Sequence, residues 1–311
     1  INESHYQHVV HTPIAGNPDA LDLATIHEKT LAVVTAQSTV AEAAAAKARE
    51  LAGTHDAPWL ATALAVGNAI VLKPSEETPV AGGLLIAEIL EEAGIPKGVF
   101  NVITCSRDNV AAVGDELISN PLVRGVSFTG STGVGSQVAA KAGSLLKKCC
   151  VELGGKDALI VLDDADIEHA VNAATFGSFM HQGQICMSVE RVIVHKDVAA
   201  EFTEKFVANT KKLKVGNPRE MANCIGPIIN QKQLDKIREQ VDDAVAKGAK
   251  VLCGGKHQGL FFEPTVLTNV TRDMKIMRDE TVGPVAEETS LPGEQTNETV
   301  RQTRYSEWLI T

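Results

Sequence analysis

Cys186 lies in the run HQGQICMS at 181–188, among small and polar residues and just ahead of VERVIV. A cysteine in such a setting is either a small buried hydrophobe, the commoner fate, or a nucleophile activated by its surroundings. Its setting, with Gly183 before it and Met187 beside it, favours reactivity. Upstream, VELGGKD at 151–157 places Glu152 between Val151 and Leu153, ahead of two glycines. A carboxylate at an apolar strand end can take a proton as a general base; strand alternation can instead turn it to solvent, the commoner fate of a strand Glu.

Two further turns carry binding chemistry. FTGSTGVG at 128–135 follows a strand-like run and leads into the helical SQVAAKAG. A glycine-rich turn at that junction points backbone N–H groups and a helix N-terminus at a phosphate. Its glycines, at 130, 133 and 135, do not have GxGxxG spacing, so an ordinary tight turn fits as well. LKPSEETP at 72–79 offers Lys73 and Glu76, a pairing suited to ribose hydroxyls. A solvated proline turn with Ser75 as a cap is the plainer alternative.

These residues need strands and helices to hold them. TVAEAAAAKARELA at 39–52 has strong helix propensity and ends at Gly53, whereas 1–37 show no sustained period. AIVLK, GVFNVIT, GVSFT and LIVLD read as strands. They alternate with helical stretches at 79–94, 136–143 and 164–174, the last with an Asp cap. Such alternation implies βαβ units and a doubly wound, Rossmann-like parallel sheet, followed by a second α/β domain. That second block begins near 190 with the strand RVIVH and the helix VAAEFTEKFVANTKKL. A helix at 231–248 carries Leu234, Ile237, Val241 and Val245 on one face, and AKVLCGG then reads as a strand. The expected organisation is a segment of one helix over 1–56, a dinucleotide-binding domain over 57–188 and a catalytic domain over 189–311.

Composition narrows the classes of function. With 311 residues, 44% of them hydrophobic, the chain can build substantial cores, and a net charge of −10 disfavours nucleic acid or an anionic membrane as partner. The run LATALAVGNAIVL at 60–72 is interrupted by Gly67 and Asn68, so no membrane span is expected. The start lacks a signal-peptide pattern, and six scattered cysteines without CxxC pairs fit a reduced compartment, so a cytoplasmic location is expected. Nine histidines form no metal-binding array, and no metal is expected.

The ordered succession LKPSEETP, FTGSTGVG, VELGGKD and HQGQICMS resembles the aldehyde dehydrogenase superfamily. The likeness continues through LKVGNP, IGPIIN, GAKVLCGGK and FFEPTVL to DETVGP at 279–284, covering roughly 57–290. FMHQGQICMS and GSTGVG are most similar to the benzaldehyde and vanillin dehydrogenases. The resemblance implies oxidation of an apolar or aromatic aldehyde to its acid, with NAD as cofactor and NADP also admissible. It implies that Cys186 is the nucleophile, passing through a thiohemiacetal and a thioester, and that Glu152 is the base that activates water. Lys73, Pro74, Ser75 and Glu76 match the adenosine-ribose segment, where Glu76 would repel a 2′-phosphate and favour NAD. Phe128, Gly130 and Ser131 match the pyrophosphate turn; Leu153 and Glu280 match contacts on the nicotinamide side. A homo-oligomer is implied for the full-length protein.

Two departures qualify the resemblance. The family's oxyanion-hole asparagine follows a Pro-Trp pair, but here Pro58-Trp59 is followed by Leu60, which has no donor. Loss of one such donor typically costs ~10²–10³ in rate. The chain also reads as compressed at both ends, with NETVRQTRYSEWLIT resembling the start of the helix that follows the GP turn, and with Thr281-Val282 where a phenylalanine is expected. Alternatives to the dehydrogenase are therefore a non-catalytic relative that binds NAD or a partner subunit, and cofactor-free hydrolysis of esters or thioesters.

Overall fold

The computed structural model describes residues 60, 63–64 and 66–291, together with the backbone of a strand at 307–310. The helix expected at 39–52 and the Pro58-Trp59 pair lie outside the described residues. The chain divides into two compact units, one ending at Glu152 and the other beginning at Leu153.

In the first unit, β1 (Ile70–Leu72) runs parallel to β2 (Phe100–Val102), with Ile70 opposite Phe100. Parallel strands need a crossover, and here it is helical. A π-helical turn over Val80–Leu84 leads into α1 (Leu85–Glu92), which ends before Gly94 at φ 84°. Gly83 lies in the π turn because a side chain there would stand 2.8 Å from Pro74 Cγ and 3.1 Å from Val102 Cγ1. Helix α2 (Val110–Ser119) precedes β3 (Gly125–Thr129), which pairs in parallel with β4 (Lys148–Glu152) across α3 (Thr132–Ser144).

The second unit contains β5 (Ala158–Val161), α4 (Ile167–Phe179), β6 (Arg191–His195), α5 (Lys196–Thr210) and α6 (Gln231–Ala246). The strands β7 (Lys250–Cys253), β8 (His257–Gln258), β9 (Phe261–Phe262), β10 (Thr265–Thr268), β11 (Val285–Leu291) and β12 (Glu307–Ile310) follow. Six of these form one sheet in the order β12-β5-β6-β11-β10-β7, parallel except where β7 meets β10. Strand alternation divides its interior residues. Leu159, Val161, Val192 and Val194 pack with Phe179, Phe202 and Phe206, whereas Ala158, Ile160 and Ile193 form a separate cluster. On the amphipathic α6, Leu234, Ile237 and Val241 pack with Leu267 and Val285.

The α/β architecture is the one expected, but the division of the chain is not at 188. It falls at 152/153 because β5, read as part of the first sheet, pairs instead with β6, Ala158 opposite Arg191. The helix expected from 297 is also corrected over its last residues. Residues 307–310 are a strand that pairs in parallel with β5, and 297–306 lie outside the described residues.

Candidate active site

In the first unit the ribose-type segment leaves the end of β1. Pro74 is buried against Gly83, and this fixes the turn that carries its neighbours. Ser75 does act as a local cap, its Oγ accepting from Glu77 N at 3.2 Å, while Lys73 Nζ donates to the Pro74 carbonyl at 2.6 Å. Glu76 is held below the usual carboxylate range, first by a backbone hydrogen bond and then by the charges of Lys73 and Arg107. Arg107 Nε donates to Glu76 Oε1 at 3.2 Å, a partner 31 residues away. Nothing in the spacing of the sequence pointed to Arg107.

The phosphate-type turn joins β3 to α3. Phe128 lies against Gly130, where a Cβ would stand 2.7 Å from the ring. Ser131 is the helix N-cap in extended conformation, without a side-chain hydrogen bond to the helix. Gly135 N donates to the Ser131 carbonyl, and Ser131, Thr132, Gly133 and Val134 are all exposed. Since the first N–H groups of a helix have no intrahelical acceptor, this end of α3 suits a phosphate. The same turn meets Glu152 through its backbone, Gly130 N donating to the Glu152 carbonyl at 3.0 Å, and the Glu152 side chain is half-buried.

In the second unit, Cys186 is reached through an unusual turn. After α4 the chain passes through His181 at φ 52°, Gln182 at φ 59° and Gly183 at φ 64°, three left-handed residues in succession. For the two non-glycine residues this conformation costs roughly 1–2 kcal/mol each. Gly183 admits no side chain, because a Cβ would lie 2.2 Å from the Gly283 carbonyl oxygen. Gln184 anchors the far side, its Oε1 accepting from Ile229 N at 2.9 Å. Cys186 and Met187 are exposed at the end of this turn, and Ser188 is buried again. Phe176 and Met180, an i, i+4 pair at the end of α4, are also exposed and apolar.

The DETVGP loop is fastened from several directions. Gln240 on α6 donates to the Glu280 carbonyl at 3.1 Å, and Gln233 donates to the Val282 carbonyl at 2.8 Å. Glu190 Oε2 accepts from Thr281 N at 2.7 Å. The Glu280 carboxylate lies over Gly154, where a Cβ would meet it at 2.2 Å, and Leu153 is half-buried next to that glycine. Burial raises the Glu280 pKa, and the Glu190 charge raises it further.

Behind this loop is a charged cluster that spacing did not reveal. Lys156 bonds Glu190, lies 2.8 Å from Glu287 Oε1, and donates to Thr281 Oγ1 at 3.3 Å. Glu190 and Glu287 are buried, and burial raises Glu287 to about 7, with the Lys156 charge opposing the shift. The signal in the sequence is Glu190 and Glu287 beside apolar strand residues, in VERVIV and PVAEE, since a carboxylate buried there needs a partner. Among the described residues no group of three or more His, Cys, Asp or Glu could hold a metal ion, and no helix is long and apolar enough to cross a membrane.

The model of the aldehyde dehydrogenase family matches residues 57–300. The chain belongs to the aldehyde dehydrogenase family. It is 48% identical over 226 residues to benzaldehyde dehydrogenase YfmT of Bacillus subtilis (strain 168), covering 73% of this chain and 46% of that protein. Salicylaldehyde dehydrogenase of Pseudomonas sp. (strain C18) is also 48% identical, over 239 residues, covering 73% of this chain and 49% of its own length. The chain therefore spans about half the length of the curated relatives it matches. Among aldehyde dehydrogenase structures, that of salicylaldehyde dehydrogenase from Pseudomonas putida G7 complexed with salicylaldehyde superposes with a TM-score of 0.76 at 43% identity, covering 82% of this chain and 53% of that one. Glyceraldehyde-3-phosphate dehydrogenase GapN from Methanocaldococcus jannaschii, complexed with NADP, gives a TM-score of 0.74 at 38% identity, covering 81% of this chain and 55% of that one.

Proposed function

We propose that this protein oxidises an apolar or aromatic aldehyde to its carboxylic acid with NAD(P). The observation that carries the proposal is Cys186, exposed at the end of the left-handed turn that follows α4, in a chain of this family. The names of the relatives, benzaldehyde and salicylaldehyde dehydrogenases, support an aromatic substrate.

Cys186 Sγ attacks the aldehyde carbon and forms a thiohemiacetal. NAD(P), when bound, supplies a hydride acceptor. Glu152 takes a proton from the water that hydrolyses the resulting Cys186 thioester, and the acid leaves with the thiol restored. Lys73 and Glu76 bind the adenosine ribose at the turn fixed by Pro74 and Ser75. Gly130, Ser131 and the open end of α3, backed by Phe128, receive the diphosphate. Glu280, with Leu153 beside Gly154, positions the nicotinamide ribose. The protein acts in the cytoplasm as a homo-oligomer.

Leu60 favours a second reading, in which the chain binds NAD(P) without turning over, because an apolar side chain follows Trp59 where the family places a hydrogen-bond donor. Absorbance of reduced nicotinamide separates the two. Turnover that requires both benzaldehyde and NAD(P), and that Cys186→Ala removes, supports the dehydrogenase. Cofactor binding without any such signal supports the second reading.

A further inference from the structure

Cys186 is bracketed by two contacts to the DETVGP loop. Before it in the chain, Gly183 packs against the Gly283 carbonyl. After it, Glu190 Oε2 accepts at 2.7 Å from Thr281 N, the amide that directly follows Glu280. The backbone of Glu190 is itself fixed, its N–H donating to the Asp157 carbonyl at 3.1 Å and its carbonyl accepting from Glu287 N at 2.9 Å. Its side chain is 6% exposed, and Lys156 Nζ converges on the same oxygen that receives Thr281 N. Stability does not account for a carboxylate here, because apolar side chains of similar volume often replace a buried ion pair without loss. An apolar side chain could not supply the acceptor that the buried Thr281 N–H needs. Gln233 and Gln240 tie the neighbouring carbonyls of the loop to α6, whereas Glu190 ties it to the segment that carries the nucleophile.

We propose that Glu190 is a positioning residue that holds Glu280 at a fixed reach from Cys186 through the Thr281 amide. The inference rests on the assignment of Cys186 as the nucleophile and of Glu280 to the nicotinamide ribose. The Glu280 carboxylate lies over Gly154 and takes a backbone hydrogen bond from Gly155, so its direction depends on where the next amide is held. Reacting atoms must stand about 3–3.5 Å apart, and a displacement of about 1 Å can cost on the order of 10²-fold in rate. Two substitutions separate position from charge. Glu190→Asp keeps the charge on Lys156 but withdraws the acceptor from Thr281 N by about one C–C bond, roughly 1.5 Å. Glu190→Gln keeps the reach and an acceptor oxygen but removes the charge, and Lys156 then retains Glu287 Oε1 at 2.8 Å as its partner.

The test compares the purified wild-type chain with Glu190→Asp and Glu190→Gln. Binding is read as the affinity ratio of NAD to ADP, which lacks the nicotinamide ribose. Chemistry is read as the single-turnover rate of reduced nicotinamide formation with benzaldehyde. Alkylation of Cys186 by iodoacetamide, without cofactor, reports the nucleophile by itself. Glu190→Asp should lower the affinity ratio about tenfold and the single-turnover rate about tenfold to a hundredfold, with alkylation unchanged. Glu190→Gln should stay close to wild type in all three. The reverse pattern, with Gln impaired and Asp intact, would assign the effect to charge and overturn the positioning role. Equal losses in both variants, or alkylation that changes with them, would make Glu190 a support of the fold and overturn it too. A wild type that favours NAD over ADP and turns over, beside an unaffected Glu190→Asp, overturns this inference alone. A wild type that shows neither signal overturns the assignment of Glu280 and this inference with it. Thermal melts confirm that folded proteins are compared. Glu190→Ala, which removes the acceptor without leaving a misplaced charge, takes the place of the aspartate variant should that one not fold, with the same losses expected.

Discussion

Lys156 holds two carboxylates, Glu287 on β11 and Glu190 immediately before β6. Removing one partner of a buried ion pair leaves the other charge uncompensated, at a cost of about 3–5 kcal/mol. Lys156→Met is therefore expected to lower stability by that order in urea denaturation, whereas a change below 1 kcal/mol would show that the cluster is solvated. Glu287 supplies a pH dependence of known sign. It ionises near 4.5 in the unfolded chain and near about 7 in the folded protein, so between these values the folded state holds more protons. Its contribution is complete below the unfolded value and is lost as pH rises through the folded one, so stability falls across that window. Glu287→Gln should flatten the fall; a slope that persists in the variant would assign it to other groups. None of these partners is legible from spacing, because Lys156 and Glu287 are brought together only by β5 and β11 flanking β6. Cys186 and Glu152, by contrast, were singled out by their immediate neighbours.

The elements were more readable than their connections. The strand GVSFT coincides with β3, and of the apolar stripe expected on α6 Leu234, Ile237 and Val241 are buried, whereas Val245, in its last turn, is exposed. Asp166 caps α4 as its position in DADIEH indicates, accepting from His169 N at 3.0 Å. Local periodicity carries such information because it is fixed by the face each helix or strand buries. It does not carry the partner of a strand. The fully buried ALIV of β5 fits the interior of any parallel sheet, and only the pairing with β6 assigns it to the second unit. The π-helical opening at Val80–Leu84 was likewise invisible, since it arises where Gly83 lets the helix close on Pro74. Gly83→Ala is expected to cost about 1–3 kcal/mol by overpacking. It should also weaken dinucleotide binding through the displaced Lys73–Glu76 turn. Unaltered affinity in a destabilised variant would separate that turn from the cofactor.

At the scale of the whole molecule, a dinucleotide must recognise the folded chain. Binding to the native state alone stabilises it by RT ln(1 + [L]/Kd), about 2.7 kcal/mol at a hundredfold excess over Kd. NAD and NADP should each raise the melting temperature in a saturable way, and a melting curve indifferent to both would contradict the assignment of the β3–α3 turn. The central claim is that Cys186 carries the acyl group. Mass spectrometry of the Cys186 peptide, after acid quench of the Glu152→Gln variant mixed with benzaldehyde and NAD(P), decides this. Loss of the base slows hydrolysis, so a benzoyl adduct should accumulate on Cys186, dependent on both aldehyde and cofactor. Turnover by the wild-type protein with no adduct on Cys186, or with the acyl group on another residue, would contradict the account.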